Sequence, residues 1–418
     1  MSGKQETDVL VVGAGPVGLY AAAELARRGV RVDIVEAEAQ GAGLSYALAL
    51  HPRTLELLDA LGLGEAAARH GCRVERLAFY DGHERRAQVD LTALGGRYPH
   101  LTILPQSLLE TALADWLDAR KVEVRWRHRV TAISGGEGPT EVSLERWGED
   151  MAGYAVARRT RMIEKTFPMR ARFVLGADGH SSVVRRRLGV DFPEIAPAAL
   201  FAVFEFTTDA DLAGEARVVL DEDTTGVLWP LPGGRCRWSF QLADPGEFEG
   251  ERVKSRLSEV GRWVFPALDR DRLRGLIAER APWFTGSIDD ITWSVAIRFE
   301  QRLAARFGSG AFWLAGDAAH LAGPVGVQSM NAGFREAHDL AERLESILLG
   351  GADPAILSGY DTTWREEWTR LFDLERTLHA AEGASPFVRA NAGRILSSLP
   401  ATGDRISPLL GQLHLTLG

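Results

Sequence analysis

The stretch Asp8-Val9-Leu10-Val11-Val12-Gly13-Ala14-Gly15-Pro16-Val17-Gly18, close to the start of the chain, decides the fold. Its apolar first half predicts a short buried strand, and the glycines follow at once. Residues 16–28 predict a helix with one apolar face, which Gly29 ends, and residues 31–36 predict a second strand. A strand, a G-x-G-x-x-G turn, a helix and a second strand together predict a βαβ unit that binds a dinucleotide.

Each glycine of this motif has its own predicted task. Gly13 allows a tight turn, Gly15 lets the backbone approach a pyrophosphate, and Gly18 lets the helix pack closely on the strand. The phosphates are expected at the start of the predicted helix, where free N–H groups and the helix dipole favour anions. Glu36 closes the second strand, where an acid accepts hydrogen bonds from a ribose. Because a 2′-phosphate would repel this carboxylate, FAD and NAD fit the motif and NADP does not.

Composition narrows the class of protein. The chain has 418 residues, a formal net charge of −9 and only two cysteines, Cys72 and Cys236. The negative charge argues against a nucleic-acid partner. The cysteines predict neither a disulfide framework nor a metal site. The polar start and the lack of a long apolar run predict a soluble, cytoplasmic protein without signal peptide or membrane span. We expect a monomer or a homodimer.

The apolar pattern predicts most of the remaining elements. A capping box at Ser107-Leu108-Leu109-Glu110 predicts a helix over residues 107–119. Residues 148–168 predict an extended hairpin, and residues 171–175 predict a buried strand. Further strands are predicted at residues 200–206, 217–220, 226–229, 235–242 and 312–315. Further helices are predicted at residues 253–281, 330–349 and 360–379. The strands between about residues 195 and 300 predict a mostly antiparallel sheet with one face available to a ligand.

Two further motifs follow predicted strands. Gly176-Ala177-Asp178-Gly179, which continues to Arg185, comes after the strand at 171–175, and Gly316-Asp317-Ala318-Ala319-His320 comes after the strand at 312–315. Together with the first motif, Gln106 and His51-Pro52-Arg53-Thr54-Leu55-Glu56-Leu57-Leu58, they give the chain its resemblance to a known family. Over almost its whole length it resembles the class A flavoprotein monooxygenases, which have the fold of p-hydroxybenzoate hydroxylase. The two motifs match the DG motif and the GD motif of that family.

The resemblance implies an α/β fold. A Rossmann-type, GR2-like FAD-binding domain is expected, with an inserted, mostly antiparallel β-sheet substrate domain and C-terminal helices. The FAD-binding domain is expected over 1–71, 105–190 and 300–345. The substrate domain is expected over 72–104 and 191–299, and the C-terminal helical segment over 346–418. Because the sequence ends soon after the predicted C-terminal helices, we expect it not to include the thioredoxin-like domain that many large members of that family carry.

The resemblance also implies which residues bind FAD. The DG motif serves FAD and the nicotinamide donor, and Asp317 of the GD motif binds the ribityl chain. The start of the helix predicted near Met330 would direct its positive end at the flavin pyrimidine. No catalytic side chain is assigned beyond the loop with Pro324 and Gly326, which is expected at the flavin. The expected cofactor contacts are Gly13, Gly15, Pro16, Val17, Gly18, Glu36, Ala37, Arg53, Gln106, Val130, Asp178, Asp317, Pro324, Gly326, Val327, Gln328, Ser329, Met330 and Asn331.

In the family that the chain resembles, NADPH or NADH reduces FAD. O2 then forms a flavin C4a-hydroperoxide, which transfers one oxygen atom to the substrate. The expected partners are therefore O2 and an aromatic or polyketide-like small molecule, held between the sheet and the flavin. Candidate substrate contacts, each of which could equally be plain core, are Phe204, Trp229, Trp238 and Phe240. An arginine for an anionic substrate could come from Arg217, Arg235 or Arg237.

Several alternatives stay open. The same scaffold could carry out epoxidation, Baeyer–Villiger insertion or flavin-dependent dehydrogenation, or serve as a non-catalytic binding protein. His320 is expected to be a structural hydrogen-bonder, while residues 185–187 suit either NADPH phosphates or a solvated helix surface. Two stretches depart from the family pattern. Ser45-Tyr46-Ala47 stands where many relatives carry an arginine, and Gly326-Val327-Gln328-Ser329 stands where Gly-Gly-Gln-Gly is frequent.

Overall fold

The structure is a computed structural model, and it describes residues 5–39, 41, 49–134, 139–152, 158–212, 214–243, 263–264 and 268–418. The helices are α1 (Pro16–Arg27), α2 (Pro52–Asp59), α3 (Gly64–His70), α4 (Gln106–Asp118), α5 (Val183–Arg187), α6 (Arg270–Arg280), α7 (Gln328–Leu348), α8 (Leu357–Leu371), α9 (Pro386–Ala390), α10 (Ala392–Ser398) and α11 (Ile406–Gly411).

The strands of the first half are β1 (Gln5–Val12), β2 (Val32–Val35), β3 (Ala49–Leu50), β4 (Cys72–Tyr80), β5 (Arg85–Asp90), β6 (Leu101–Ile103), β7 (Val124–Arg125), β8 (His128–Ser134), β9 (Thr140–Ala152) and β10 (Arg158–Gly176). Those of the second half are β11 (Glu194–Thr207), β12 (Gly214–Leu220), β13 (Thr225–Leu231), β14 (Arg235–Gln241), β15 (Trp263–Val264), β16 (Ile291–Leu303), β17 (Gly308–Ser309), β18 (Phe312–Leu314), β19 (His320–Leu321), β20 (Leu378–Ala380) and β21 (Leu415–Leu417).

A parallel sheet carries the three sequence motifs. Its strands lie in the order β18-β10-β1-β2-β7, and all four of these pairings are parallel. The register places Val12 beside Gly176 and Gly176 beside Leu314, so three strands end at the same level. The turns that follow these strands therefore meet at one edge of the sheet, where α/β proteins bind ligands.

Backbone hydrogen bonds and glycines hold these turns together. Ala177 donates its N–H to the carbonyl of Val12, and Ala315 donates its N–H to the carbonyl of Gly176. A Cβ on Gly13 would lie 2.3 Å from the carbonyl oxygen of Ala177, and Gly13 has a φ of +105°. Only glycine permits this approach. The motif that was predicted to form a tight turn thus also contacts the DG motif directly.

One face of the second sheet packs towards the parallel sheet, and α6 covers the other face. Its strands run in the order β15-β16-β11-β14-β13-β12-β4-β6-β3. The pairings are antiparallel except for β12 with β4 and β15 with β16, which confirms the mostly antiparallel prediction. Side chains alternate between the two faces along each strand. Val203 and Trp229 belong to the large core shared with the parallel sheet, while Phe204 and Trp238 belong to a separate core beneath α6.

The predicted start of α4 is wrong. The helix begins at Gln106 after Pro105, and no side chain caps its first turn. Ser107 therefore lies within the helix, and Glu110 accepts a hydrogen bond from Gln106 Nε2 at 2.6 Å. The fixed φ of proline directs the chain into the helix before the expected cap is reached.

Other boundaries also differ from the prediction. α7 begins two residues early, at Gln328, and α8 ends at Leu371 because Asp373 takes a left-handed φ of +50°. The hairpin predicted over 148–168 is confirmed as the pairing of β9 with β10, and β10 runs on without a break through 171–175. Of the helix predicted over 253–281, residues 270–280 are helical, Trp263–Val264 forms a strand, and 253–262 and 265–267 lie outside the described residues. Within the described ranges, no helix has the length and apolar character to cross a membrane.

Gly333 should be intolerant of a side chain because α7 crosses α1 there. A Cβ at this position would lie 2.6 Å from Val17 Cγ2 and 3.1 Å from the Cα of Gly316. Overpacking of this kind costs ~1–3 kcal/mol, so Gly333→Ala should lower the free energy of unfolding by that amount. Chemical denaturation measures it.

The matched control is Gly275→Ala in α6, where a Cβ would meet no atom within 4 Å. An exposed helical glycine gains roughly 0.5–1 kcal/mol from alanine. Equal destabilisation by both substitutions would contradict the close packing at the α1–α7 crossing.

Candidate functional site

A cavity of about 460 Å³ opens at the edge of the parallel sheet where the three motifs meet. Its volume lies in the range of small-molecule and cofactor sites. The start of α1 forms one wall, the DG and GD turns form the base, and β16 lies opposite. The lining residues are Gly15, Pro16, Val17, Gln106, Ala177, Gly179, His180, Ile297, Arg298, Phe299, Glu300, Ala315, Asp317, Leu321, Ala322, Gly323, Pro324, Val327, Gln328, Ser329 and Met330.

The glycines of the first motif divide into two kinds. A Cβ on Gly18 would lie 2.0 Å from the carbonyl oxygen of Gly13, which is the close helix–strand packing predicted for it. A Cβ on Gly15 would meet no atom within 4 Å. The space at Gly15 belongs to the cavity and lies at the first turn of α1, where the backbone N–H groups have no partners within the helix. Geometry and dipole therefore suit an anionic group at this point.

Glu36 stabilises the glycine turn. Its Oε2 accepts a hydrogen bond from Ala14 N at 2.7 Å, and its Oε1 accepts one from Glu38 N at 2.9 Å. Each carboxylate oxygen retains a second acceptor position, which leaves room for a ribose hydroxyl.

The DG aspartate caps the start of α5. Asp178 Oδ2 accepts from Val183 N at 2.6 Å and from Val184 N at 3.3 Å. Its Oδ1 is buried and has no hydrogen-bond partner within the described residues. Burial raises the pKa of this carboxyl, and the hydrogen bonds from Ser182, Val183 and Val184 lower it. An acceptor without a partner beside the cavity is costly unless a ligand satisfies it.

The GD aspartate faces the cavity. The Asp317 side chain is exposed there and makes no hydrogen bond or ion pair with any described residue. Protein surrounds it on its other sides, and this burial raises its pKa, while His320 lowers it and Glu336 raises it. A carboxylate in this position can accept hydrogen bonds from hydroxyl groups of a bound ligand.

A buried network holds the GD turn from behind. His320 Nε2 lies 2.8 Å from Glu336 Oε1, and its ring stacks on Trp368 at 3.9 Å. Glu336 also accepts from Gly316 N and from Trp368 Nε1, each at 2.8 Å. His320 is therefore a structural hydrogen-bonder, as expected, and does not face the cavity.

The residues 322–327, here called the Pro324 loop, lead from the GD turn into α7. Pro324 and Val327 line the cavity, and so do Gln328, Ser329 and Met330 at the start of α7. Val327 has a φ of +50°, a conformation that costs a β-branched residue roughly 1–3 kcal/mol.

Gly326, within the loop, and Asn331, in α7, do not line the cavity. Asn331 Nδ2 donates to the carbonyls of Ala49 and Val327, and its Oδ1 accepts from His51 N and Thr54 Oγ1. His51 Nε2 donates to the carbonyl of Gly326 at 3.0 Å, because a carbonyl can only accept. Burial lowers the pKa of His51 to about 3, so this imidazole is neutral in the folded protein.

The other predicted cofactor residues do not line this cavity. Ala37 accepts a hydrogen bond from Trp147 Nε1 through its carbonyl, and Val130 is buried in β8. Arg53 is exposed and pairs with Glu56 at 3.2 Å. Ser45-Tyr46-Ala47 lies outside the described residues.

Arg185 has a role that neither sequence-based alternative described. It is buried, and it donates to the carbonyl of Ala318 at 2.7 Å and to that of His180 at 2.5 Å. Its guanidinium also lies 3.8 Å from the centre of the Phe192 ring. Arg185 therefore ties the DG motif to the GD motif, whereas Arg186 and Arg187 are exposed.

Three of the four substrate candidates lie on the wrong face of the second sheet. Phe204, Trp238 and Phe240 pack in the core beneath α6, and Trp238 stacks on Phe240 at 4.6 Å. Trp229 faces the parallel-sheet side. The alternation of the strands was readable from the sequence, but the face covered by α6 was not.

The three arginines considered for an anionic substrate are hydrogen-bonded within the protein. Arg217 donates to Glu215 Oε1, Arg235 donates to the carbonyl of Pro232, and Arg237 pairs with the buried Glu205. Sequence reasoning missed the cavity residues of β16, Ile297 to Glu300. The alternation of Trp293, Val295 and Ile297 before the GD motif was the signal that could have located this strand.

Comparison with known proteins agrees with this geometry. A family model described as an FAD binding domain matches residues 6–374. The chain belongs to this FAD-binding family. Gly15, the unsatisfied Asp178 Oδ1 and the exposed Asp317 carboxylate fit the cofactor that the family binds.

The relatives include several monooxygenases. The chain is 30% identical to 6-methylpretetramide 4-monooxygenase of Streptomyces rimosus over 89% of its own length and 61% of that protein. The structure of p-nitrophenol 4-monooxygenase PnpA from Pseudomonas putida DLL-E4 matches with a TM-score of 0.70 and 25% identity, over 98% of this chain and 97% of that one. The aklavinone-11 hydroxylase complex with FAD and aklavinone matches with a TM-score of 0.65 and 26% identity, over 85% and 65%. These matches confirm the resemblance to class A flavoprotein monooxygenases.

Asp317→Ala should weaken FAD binding while leaving the fold intact. The carboxylate faces the cavity without a protein partner, and hydrogen bonds to charged groups contribute ~1.5–3 kcal/mol, so we expect about a tenfold or greater loss of affinity. Titration of apoprotein with FAD, followed by flavin fluorescence, measures it. The exposed Asp115 on α4 provides the control, Asp115→Ala. Unchanged affinity in Asp317→Ala would refute the contact.

His51 should make stability depend on pH. Its folded pKa of about 3 lies below the ordinary value of 6.5, so the unfolded chain binds a proton that the folded protein does not. The contribution of His51 to the free energy of unfolding is complete above pH 6.5. It declines as the pH falls toward 3, by up to ~1.4 kcal/mol per pH unit.

The measurement is urea denaturation between pH 7 and pH 5. His51→Gln should flatten the decline in the free energy of unfolding, and His70→Gln, at an exposed position, should not. Parallel pH profiles for the parent and His51→Gln would show that His51 is not buried as a neutral group.

Proposed function

We propose that the protein is an FAD-dependent monooxygenase that uses NADPH or NADH and O2 to place one oxygen atom on an aromatic or polyketide-like small molecule. The observation that carries this proposal is the cavity in which the glycine turn, the DG turn and the GD turn converge opposite β16. The named relatives with monooxygenase activity support the reaction class. The chain spans 61% of the length of 6-methylpretetramide 4-monooxygenase, and we therefore propose the monooxygenase activity for it.

Residues that line the cavity, together with Glu36 and Asp178 beside it, would divide the binding of FAD among them. Gly15 and the start of α1 would receive the pyrophosphate, and Glu36 a ribose. Asp178 Oδ1 and Asp317 would accept hydrogen bonds from cofactor hydroxyls. When bound, FAD supplies the redox chemistry and the activation of O2.

The start of α7 would stabilise negative charge on the flavin. Gln328, Ser329 and Met330 line the cavity at this helix end, where backbone N–H groups lack intrahelical partners. Such preorganised dipoles act most strongly in a site that excludes water. Pro324, Val327 and Phe299 supply apolar surface that keeps water away from the reacting atoms.

A nicotinamide donor requires a positive group at the mouth of the site. Arg298 lines the cavity, is exposed, and forms no hydrogen bond or ion pair with the described residues. Its charge suits the phosphates of NADPH or NADH.

The substrate is expected to be an apolar ring system. On the cavity side of the second sheet, the buried Arg237 is neutralised by Glu205, with Trp229 and Trp293 beside them in register. Among the described residues, this side of the sheet is therefore rich in buried aromatic rings, and its buried Arg237–Glu205 charges are paired. Phenols and polycyclic phenols are therefore the first compounds to screen.

The test is oxidation under ¹⁸O2 with NADPH or NADH and a panel of phenols. Substrate, O2, NAD(P)H and a proton should yield oxygenated product, NAD(P)⁺ and water, with one labelled atom in the product by mass spectrometry. Rapid mixing of the reduced protein with O2 should show a transient absorbing species before oxidised flavin returns. Substrate oxidation without incorporated ¹⁸O would instead identify a dehydrogenase.

A further inference from the structure

The C-terminal helix α10 (Ala392–Ser398) lies outside residues 6–374 that the family model matches. At its end, a Cβ on Gly326 would lie 2.4 Å from the carbonyl oxygen of Ser397 and 3.2 Å from that of Leu399. Gln328 Nε2 also donates to the carbonyl of Leu399 at 3.2 Å. The backbone of the Pro324 loop therefore rests directly on the end of α10.

The other side of α10 is bound to the second sheet through Arg394. Its Nη1 donates to the carbonyl of Asp221 at 2.7 Å, and its Nη2 donates to the carbonyl of Thr224 and to Thr225 Oγ1, the latter at 3.1 Å. Its Nε lies 3.3 Å from the same hydroxyl. Asp221 and Thr224 belong to the turn between β12 and β13, and Thr225 is the first residue of β13. One guanidinium thus fixes this turn to α10 by several hydrogen bonds in fixed directions.

The helix is held rigidly between these two contacts. Ile395 and Leu396 are buried in the large core, and Ser398 Oγ donates to the carbonyl of Arg394 at 2.6 Å. Only one turn of helix separates Arg394 from Ser397 and Leu399. A displacement of the β12–β13 turn is therefore passed to the Pro324 loop, because packed helices shift as units.

We propose that α10 mechanically couples the substrate sheet to the flavin-facing loop, and that Arg394 and Thr225 are positioning residues for FAD. Neither residue lines the cavity. Their effect on the flavin is exerted through Gly326 and Gln328. This inference rests on the proposed placement of FAD against the Pro324 loop.

The experiment compares FAD affinity and the visible flavin spectrum of Arg394→Gln and Thr225→Val with those of the parent holoprotein. Each variant should weaken FAD binding about fivefold and shift the flavin absorbance, the size expected of couplings through packed elements. Thr225→Ser, which keeps the hydroxyl, should restore both properties. The double variant Arg394→Gln/Thr225→Val should be no weaker than Arg394→Gln alone, because both changes remove the same link.

Arg389→Gln is the matched control. Within the described residues, the Arg389 side chain donates to the carbonyls of Glu382 and Ala384, which lie within the C-terminal segment. FAD affinity and flavin spectra equal to those of the parent in Arg394→Gln and Thr225→Val would overturn the proposal. An equal loss of FAD affinity in Arg389→Gln would also overturn the proposal, since that loss would show a general destabilisation of the C-terminal segment.

FAD binding is measured without substrate or O2, so the result is independent of the proposed reaction. A parent protein that binds FAD but incorporates no ¹⁸O would refute the monooxygenase proposal and leave the coupling test intact. If Arg394→Gln does not fold, the pair Thr225→Val and Thr225→Ser decides the question alone.

Discussion

The direct contact between the backbones of Gly13 and Ala177 is the constraint on which the rest of the site depends. A side chain at Gly13 would collide with the Ala177 carbonyl, and one at Gly18 would collide with Gly13 itself. The glycine turn and the DG turn therefore close on each other at the edge of the parallel sheet. Open space is left on the side of Gly15, at the start of α1. The same glycines that shape the turn thus determine where a dinucleotide phosphate can lie.

Buried polar groups hold the turns at this edge of the parallel sheet in place. Arg185 links the DG turn to the GD turn by donating to one carbonyl in each. Glu336 accepts hydrogen bonds from Gly316, His320 and Trp368. In a low-dielectric interior such satisfied networks are strong, and breaking one partner leaves a costly unpaired group. Asp317 is left facing the cavity without a protein partner. The charged groups near the cofactor site therefore divide into those that fix the frame, such as Arg185 and Glu336, and those that line the cavity, such as Asp317 and Arg298.

The sequence was most informative where geometry permits few residues. The βαβ unit and a dinucleotide followed from glycines and an acid at fixed spacing, because few other residues fit that turn, and the resemblance of the DG and GD motifs to a known family then implied FAD. The substrate face was predicted less well. Period-two alternation separates Phe204 from Val203, but only the position of α6 decides which face is covered. The same holds for the bonds of Arg185 to Ala318 and of Arg394 to Asp221, which join residues more than 100 positions apart in the chain. Contacts of that range depend on tertiary packing and leave no local pattern.

A crystal structure of the FAD complex tests the central claim most directly. We expect the pyrophosphate against Gly15 at the start of α1, the ribityl chain within hydrogen-bond distance of Asp317, and the ring against the Pro324 loop. Density for FAD outside this cavity, or an Asp317 carboxylate without a cofactor contact, would contradict it.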